Sequence, residues 1–340
     1  MRSTTSAARV LLRALAIVAS ISSLPATILA DSAKIPGLLF ATDAEGPWQE
    51  PRVQFNGFLA DNVNITGNYS IPGPNTSAPG QPISHPLGNS ASDIYGWSWT
   101  IAVAADIPLE NSSRVPHDDG QGPFYYTGER VILNAPSSLV NSGSGNLHVT
   151  DDWKLCLVRW ELLNVSYPEK LRSDDGTCGS VLSPECISEM KTAVEESIHG
   201  TVCMCPRAST IQSCSRLGDD SKLFDTTCDA ALFDAQRLRD WKDGKEEAWA
   251  VGGNTPHHRG NRTSYNDIGT LAWPLMVSFV GGEYTSTSLT CVRPQQVVGT
   301  SEPPTGESSD QPSDQTSGGN SLGGSWARMG AAILVYMLML

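Results

Sequence analysis

Alternating apolar and polar positions mark the strands of this chain. Across residues 95–105, Trp97, Trp99, Ile101 and Val103 share one face, and Ser98, Thr100, Ala102 and Ala104 the other. A period of two with aromatic and β-branched residues predicts a strand. Residues 124–133 predict another, interrupted by Gly128. In residues 147–165 both parities are apolar: Leu155, Leu157 and Leu163 on one, Cys156, Val158, Trp160 and Leu162 on the other. Such a strand is covered on both faces, and Cys156 points inward from it. Residues 268–280 and 283–292 predict a hairpin about Gly281-Gly282, with Pro274 arguing for an edge or a bulge. Residues 35–41 and 52–61, the latter through Val53, Phe55 and Phe58, complete the expected strands.

Helical spacing appears in two places. Residues 183–200 place Ile187, Met190, Val194 and Ile198 on one stripe, behind Ser183 as N-cap and Pro184 at the first helical position. Residues 226–250 show a weaker pattern through Ala231, Leu232, Ala235 and Leu238. Four polar stretches read as connections: 62–92, 108–122, 134–145 and 251–266. The pattern predicts a mainly β, sandwich-like ectodomain over 31–293, with a helical cysteine-rich insertion at about 170–250.

The ends add a location. Residues 1–30 combine Arg2, Arg9 and Arg13 with a short apolar run and a cleavage site after Ala30, as a secretory signal does. From residue 294 to 318 Ser, Thr, Pro and Gly dominate, which predicts a disordered stalk. Residues 319–340 end in an apolar run shorter than the roughly 20 residues of a membrane span. Small residues upstream make Ser317, Gly318 and Gly319 candidate attachment sites for a GPI lipid, so these last residues read as a removed signal. Sequons at Asn64, Asn68, Asn75, Asn111, Asn164 and Asn261 agree with that route.

Eight cysteines change the picture of the middle. Cys156, Cys178, Cys186, Cys203, Cys205, Cys214 and Cys228 lie close together in the sequence, and Cys291 stands apart. In a secreted chain an even count implies an oxidised framework. Cys203 and Cys205 would face one side of an extended segment and bridge two different partners. Cys186 is expected to pair with Cys203 or Cys205, and Cys291 to tie the last strand back. The net charge of −13 argues against nucleic acid as a partner.

Candidate chemistry is sparse. No serine-hydrolase, metalloprotease, phosphate-loop or dinucleotide signature occurs. No metal or cofactor is expected. His257-His258 reads as an exposed polar loop, His117-Asp118-Asp119 as an acidic turn and Asp151-Asp152 as a strand-entry turn. Glu161, with Arg159 as neighbour, is the most suggestive catalytic carboxylate, because apolar surroundings raise a carboxyl pKa. Trp97, Trp99, Trp153, Trp160 and Trp273 fit either a core or a sugar-stacking platform.

The leader, the sequons, the Ser/Pro/Gly stalk and the apolar tail resemble the plan of GPI-anchored, N-glycosylated surface proteins of filamentous fungi. The strand WKLCLVRWELL resembles one in uncharacterised fungal secreted proteins. The resemblance implies display at the plasma membrane or cell wall and carries over no site residue. The expectation is a non-enzymatic surface glycoprotein acting in wall architecture, adhesion or environmental interaction, anchored in the membrane by its lipid. The alternatives are a lectin-like module binding cell-wall or environmental glycans, marked by exposed Trp beside Asp, and a hydrolase, marked by two carboxylates in one cleft.

Overall fold

A computed structural model describes residues 38–80, 96–109, 123–160, 170–171, 173–199, 202–215 and 228–305. Ten strands form two antiparallel sheets among these residues. They are β1 (Leu38–Phe40), β2 (Ile65–Ile71), β3 (Trp97–Pro108), β4 (Tyr125–Asn134), β5 (Trp153–Trp160), β6 (Cys228–Asp234), β7 (Lys245–Gly253), β8 (Trp273–Gly281), β9 (Tyr284–Val292) and β10 (Gln296–Val297). The six-stranded sheet runs β1-β7-β4-β3-β2-β10 and the four-stranded sheet β6-β5-β8-β9. The helices are α1 (Arg52–Asp61), α2 (Pro184–His199), α3 (Gln212–Ser215), α4 (Ala235–Arg239) and α5 (Thr263–Ile268).

One core joins the sheets. Trp97, Trp99, Ile101 and Val103 point from β3 towards Leu275, Val277 and Phe279 of β8. The rings of Trp97 and Phe279 meet at 4.7 Å, those of Trp249 and Trp273 at 5.5 Å. The alternation read in residues 95–105 is therefore the inner face of β3. β5 is apolar on both parities because α2 covers its sheet from the other side: Met190, Val194 and Ile198 are buried in the same core.

Several expected elements differ. Residues 52–61 form a helix, not a strand. Phe55 and Leu59, four apart, are buried against the outer face of the six-stranded sheet, while Val53 is 78% exposed. Gly128 lets that helix approach: a Cβ there would lie 2.8 Å from the Phe55 ring and 2.6 Å from Ile107. Within the expected loop 62–92, β2 alternates strictly, with Ile65, Gly67, Tyr69 and Ile71 inward. The expected second helical segment, 226–250, is mostly strand among the described residues; only Ala235–Arg239 is α-helical, capped by Asp234, which accepts from the Arg237 N–H, and Lys242–Gly244 makes one 3-10 turn. The helical insertion is thus narrower than 170–250. Pro274 sits in a central strand, but one step beyond the last β5–β8 partner pair, Arg159↔Leu275, so its missing N–H falls outside that ladder.

Four disulfides connect Cys156–Cys203, Cys178–Cys291, Cys186–Cys214 and Cys205–Cys228, and no cysteine is free. Cys203 and Cys205 bridge to the neighbouring strands β5 and β6, as two same-side residues of an extended segment can. That geometry removes them as partners for Cys186, which instead joins α2 to α3. Cys178 ties Cys291 of β9 to the segment before α2.

Packing continues past residue 293. β10 pairs with β2 through Gln296↔Thr66 and Val297↔Ile65. The expected stalk therefore begins with ordered chain up to Thr305. Residues 1–37 and 306–340, with the leader and Ser317, Gly318 and Gly319, lie outside the described residues. No helix among the described residues is long and apolar enough to cross a membrane.

Candidate functional cleft

β1 pairs with β7 only from Leu38↔Gly253 to Phe40↔Val251. The Ala41 N–H then donates to Ala250 O at 2.9 Å, and the chain turns away through Thr42–Glu45. Below that point the outer edge of β7 has no strand neighbour among the described residues. A cleft of about 690 Å³ opens there, walled by β7, β5, β6 and α1. Its size suits a small ligand.

A β-bulge decides which side chains enter it. The β4–β7 register passes from Val131↔Trp249 to Ile132↔Glu247, leaving Ala248 as the extra residue. Without it, residues 247 and 249 would share a face. With it, Trp249 points inward towards Trp273, and Glu247 points outward to pair with Arg52 of α1. Glu246, opposite the core residue Leu133, faces the space between the sheets.

Arginines bind the cleft together. Arg159 of β5 donates to the bulged Ala248 carbonyl at 2.6 Å, pairs with Asp229 of β6 and stacks 4.9 Å over the Trp249 ring. Arg237 of α4 donates to Leu232 O at 2.8 Å and stacks 4.7 Å over Phe233. Glu246 is half-buried and makes no hydrogen bond or ion pair with another described residue. Burial raises its carboxyl pKa; Arg159 and Arg237 oppose the shift, Glu247 and Asp43 add to it, and the outcome is about 7. Three further buried polar atoms on lining residues lack partners among the described residues: Arg52 Nη1, Asn56 Oδ1 and Trp249 Nε1. Donors, acceptors and aromatic rings converge in one concavity.

Two other buried carboxyls lie near this end of the molecule. Glu50 accepts from the Tyr126 hydroxyl and from the Trp48 N–H at 2.9 Å. Glu129, inside the core on β4, accepts from the Trp273 indole N–H, while its Oε2 has no partner among the described residues. Burial holds the Glu129 carboxyl well above the usual range, against the pull of the indole N–H.

The sequence-predicted candidates fall elsewhere. Glu161 and His117-Asp118-Asp119 lie outside the described residues, as do Asn111 and Asn164. His257 is not exposed: it bridges to Tyr125 and is 6% accessible, its Nδ1 3.0 Å from His258 O and 3.6 Å from Asp106. His258 is exposed and stacks on Phe124 at 5.4 Å. Asp151 and Asp152 form the turn entering β5; Asp151 pairs with Arg239, and Asp152 accepts from the Gly80 N–H. Trp97, Trp99, Trp153, Trp160 and Trp273 are all buried, so they build the core and not a platform. Asn68 and Asn261 are exposed, and Asn64 and Asn75 are half-buried. Of the candidates, only Arg159 reaches the cleft. Glu246, Glu247 and Asp43 were missed; the available signal was the paired glutamates beside Trp249, inside a segment read as helical.

Comparison with protein-family models, with curated proteins and with solved structures finds no match to this chain.

Proposed function

We propose that this is an extracellular glycoprotein, displayed on the membrane or cell wall through a GPI lipid, whose cleft binds a glycan. The observation that carries the binding reading is the cleft itself. Arg52 Nη1, Trp249 Nε1 and Asn56 Oδ1 are buried donors and an acceptor without a partner among the described residues, on side chains that line it together with Phe40. Charges of both signs line it. A polyhydroxylated ligand offers donors and acceptors together, and an apolar ring face of it can rest on the half-buried Phe40 ring. An anion would satisfy only the arginines, and an apolar ligand would leave the polar atoms unpaired. The extracellular reading is supported by four disulfides, which persist in oxidising compartments, and by exposed sequon asparagines at 68 and 261.

The test has two steps. Phosphatidylinositol-specific phospholipase should release the protein from intact cells. The released protein should then bind selectively on a panel of laminarin, chitin, cellulose, xylan and mannan oligosaccharides. Arg237→Ala, which removes a rim cation without opening the core, should weaken binding about tenfold, the loss of roughly 1.4 kcal/mol. Binding untouched by Arg237→Ala would move the site away from this cleft, and retention on cells would remove the lipid anchor.

A further inference from the structure

We propose that the cleft hydrolyses the glycan it holds, with Glu246 as proton donor and Asp43 as the carboxylate that activates water. The inference rests on the glycan reading of the same cleft. Three carboxyls enter this concavity, and their commitments differ. Glu247 is occupied by Arg52. Asp43 stands exposed on the turn that leaves β1 and forms no ion pair among the described residues, yet its charge reaches Glu246. Glu246 stands half-buried with Arg159 and Arg237 close by, but both guanidiniums are committed elsewhere: one to Ala248 O and Asp229, the other to Leu232 O and the Phe233 ring.

That arrangement has no structural explanation. A residue opposite Leu133 on the inner face of a sheet serves the fold best when apolar. A carboxyl left there without a partner destabilises the chain, unless it serves a ligand. Burial keeps the Glu246 proton to near neutrality, and Asp43 lines the same cleft from the exposed turn after β1, which places a proton donor and a second carboxyl in one concavity. In the reaction the Glu246 O–H gives its proton to the glycosidic oxygen. The anomeric C–O bond breaks, and its electron pair goes to that oxygen. A water oxygen bonds to the anomeric carbon and yields its proton to Asp43. One water is consumed for each bond cleaved, two hydroxyls are formed, and the carboxyls exchange the proton back through solvent. The half-buried Phe40 ring offers the sugar an apolar surface, and no redox partner is required.

The full secreted glycoprotein is incubated with end-labelled hexasaccharides of β-1,3-glucan, β-1,4-glucan, chitin, xylan and mannan. Chain length is followed by chromatography and binding by calorimetry. The expected result is shortening of one of these by the native chain. Glu246→Gln and Asp43→Asn should each slow it about 100-fold or more, with Kd held within about threefold. Both variants keep side-chain volume, and Asp43 lies on an exposed turn, so melting that does not fall separates lost chemistry from lost fold. Binding without shortening overturns the hydrolysis and leaves the glycan reading. Neither binding nor shortening overturns both. Shortening that survives both variants overturns the assignment of the two carboxyls.

Discussion

Glu129 shows how much one buried group can tie stability to pH. Its side chain lies in the core between β4 and β8, and its one donor among the described residues is the Trp273 indole. Burial raises its pKa well above 4.5, so the folded chain holds a proton there that the unfolded chain releases. The corresponding stability is fully present below the ordinary carboxyl value. It is lost as pH rises through that value towards the raised one. Glu129→Gln keeps an oxygen for the indole and removes the proton. The variant should match the native chain near pH 4 and melt progressively higher than it from pH 5 to pH 8, as read by thermal unfolding. Glu246, raised to about 7, carries the same sign of linkage, but it lines a cleft instead of the closed core. The contrast separates a carboxyl enclosed by the core from one lining a cleft.

At the level of elements, the bulge in β7 and Arg159 form one device. The bulge turns the Ala248 carbonyl out of the β4–β7 ladder, and Arg159 of the opposite sheet satisfies it. Arg159→Ala would leave that carbonyl, Asp229 and one face of Trp249 without their cation. The expected cost is about 2 kcal/mol, or about 4–8 °C in Tm at this size. Arg159→Lys should recover only part, since an ammonium cannot span a carbonyl, a carboxylate and a ring face at once. Thermal unfolding of the three proteins checks the order. None of this was legible in the linear pattern. β3 and β5 were, because each states its burial in its own residues. α1 was misread because Val53, Phe55 and Phe58 alternate roughly, while the decisive pair is Phe55 and Leu59, one helical turn apart. β2 was hidden by its sequons: Asn64 and Asn68 suggested a loop, although Ile65, Tyr69 and Ile71 keep strand parity. The cleft was least visible, since Asp43, Arg52, Arg159, Arg237 and Glu246 meet only through the pairing of β1 with β7 and the facing of the two sheets.

For the whole molecule, the question is where the folded body ends. Composition puts the change at residue 294, because Pro, Ser and Thr cannot bury enough apolar surface to offset ordering. The fold carries residues 294–305 by another route, through hydrogen bonds. Gln295 N–H donates to Thr66 O at 2.8 Å and Val298 N–H to Asn64 O at 2.9 Å, closing the free edge of β2. The Asn64 side chain donates to Ser301 Oγ at 3.1 Å and accepts from the Ala105 N–H at 2.7 Å. Tyr265 Oη donates to Glu302 O, Arg262 to Pro303 O, and Thr305 N–H to Asn266 Oδ1, which fastens the segment to α5. An edge strand left open is also a site for pairing between chains. A secreted chain ending at Thr305 should therefore melt with the full-length protein. One ending at Arg293 should melt lower, by about 2–4 °C for each kcal/mol lost, and should self-associate through the exposed edge of β2. Calorimetry and light scattering on the two chains decide it. Equal melting would return the boundary of the folded body to residue 293, and a difference would carry it to Thr305.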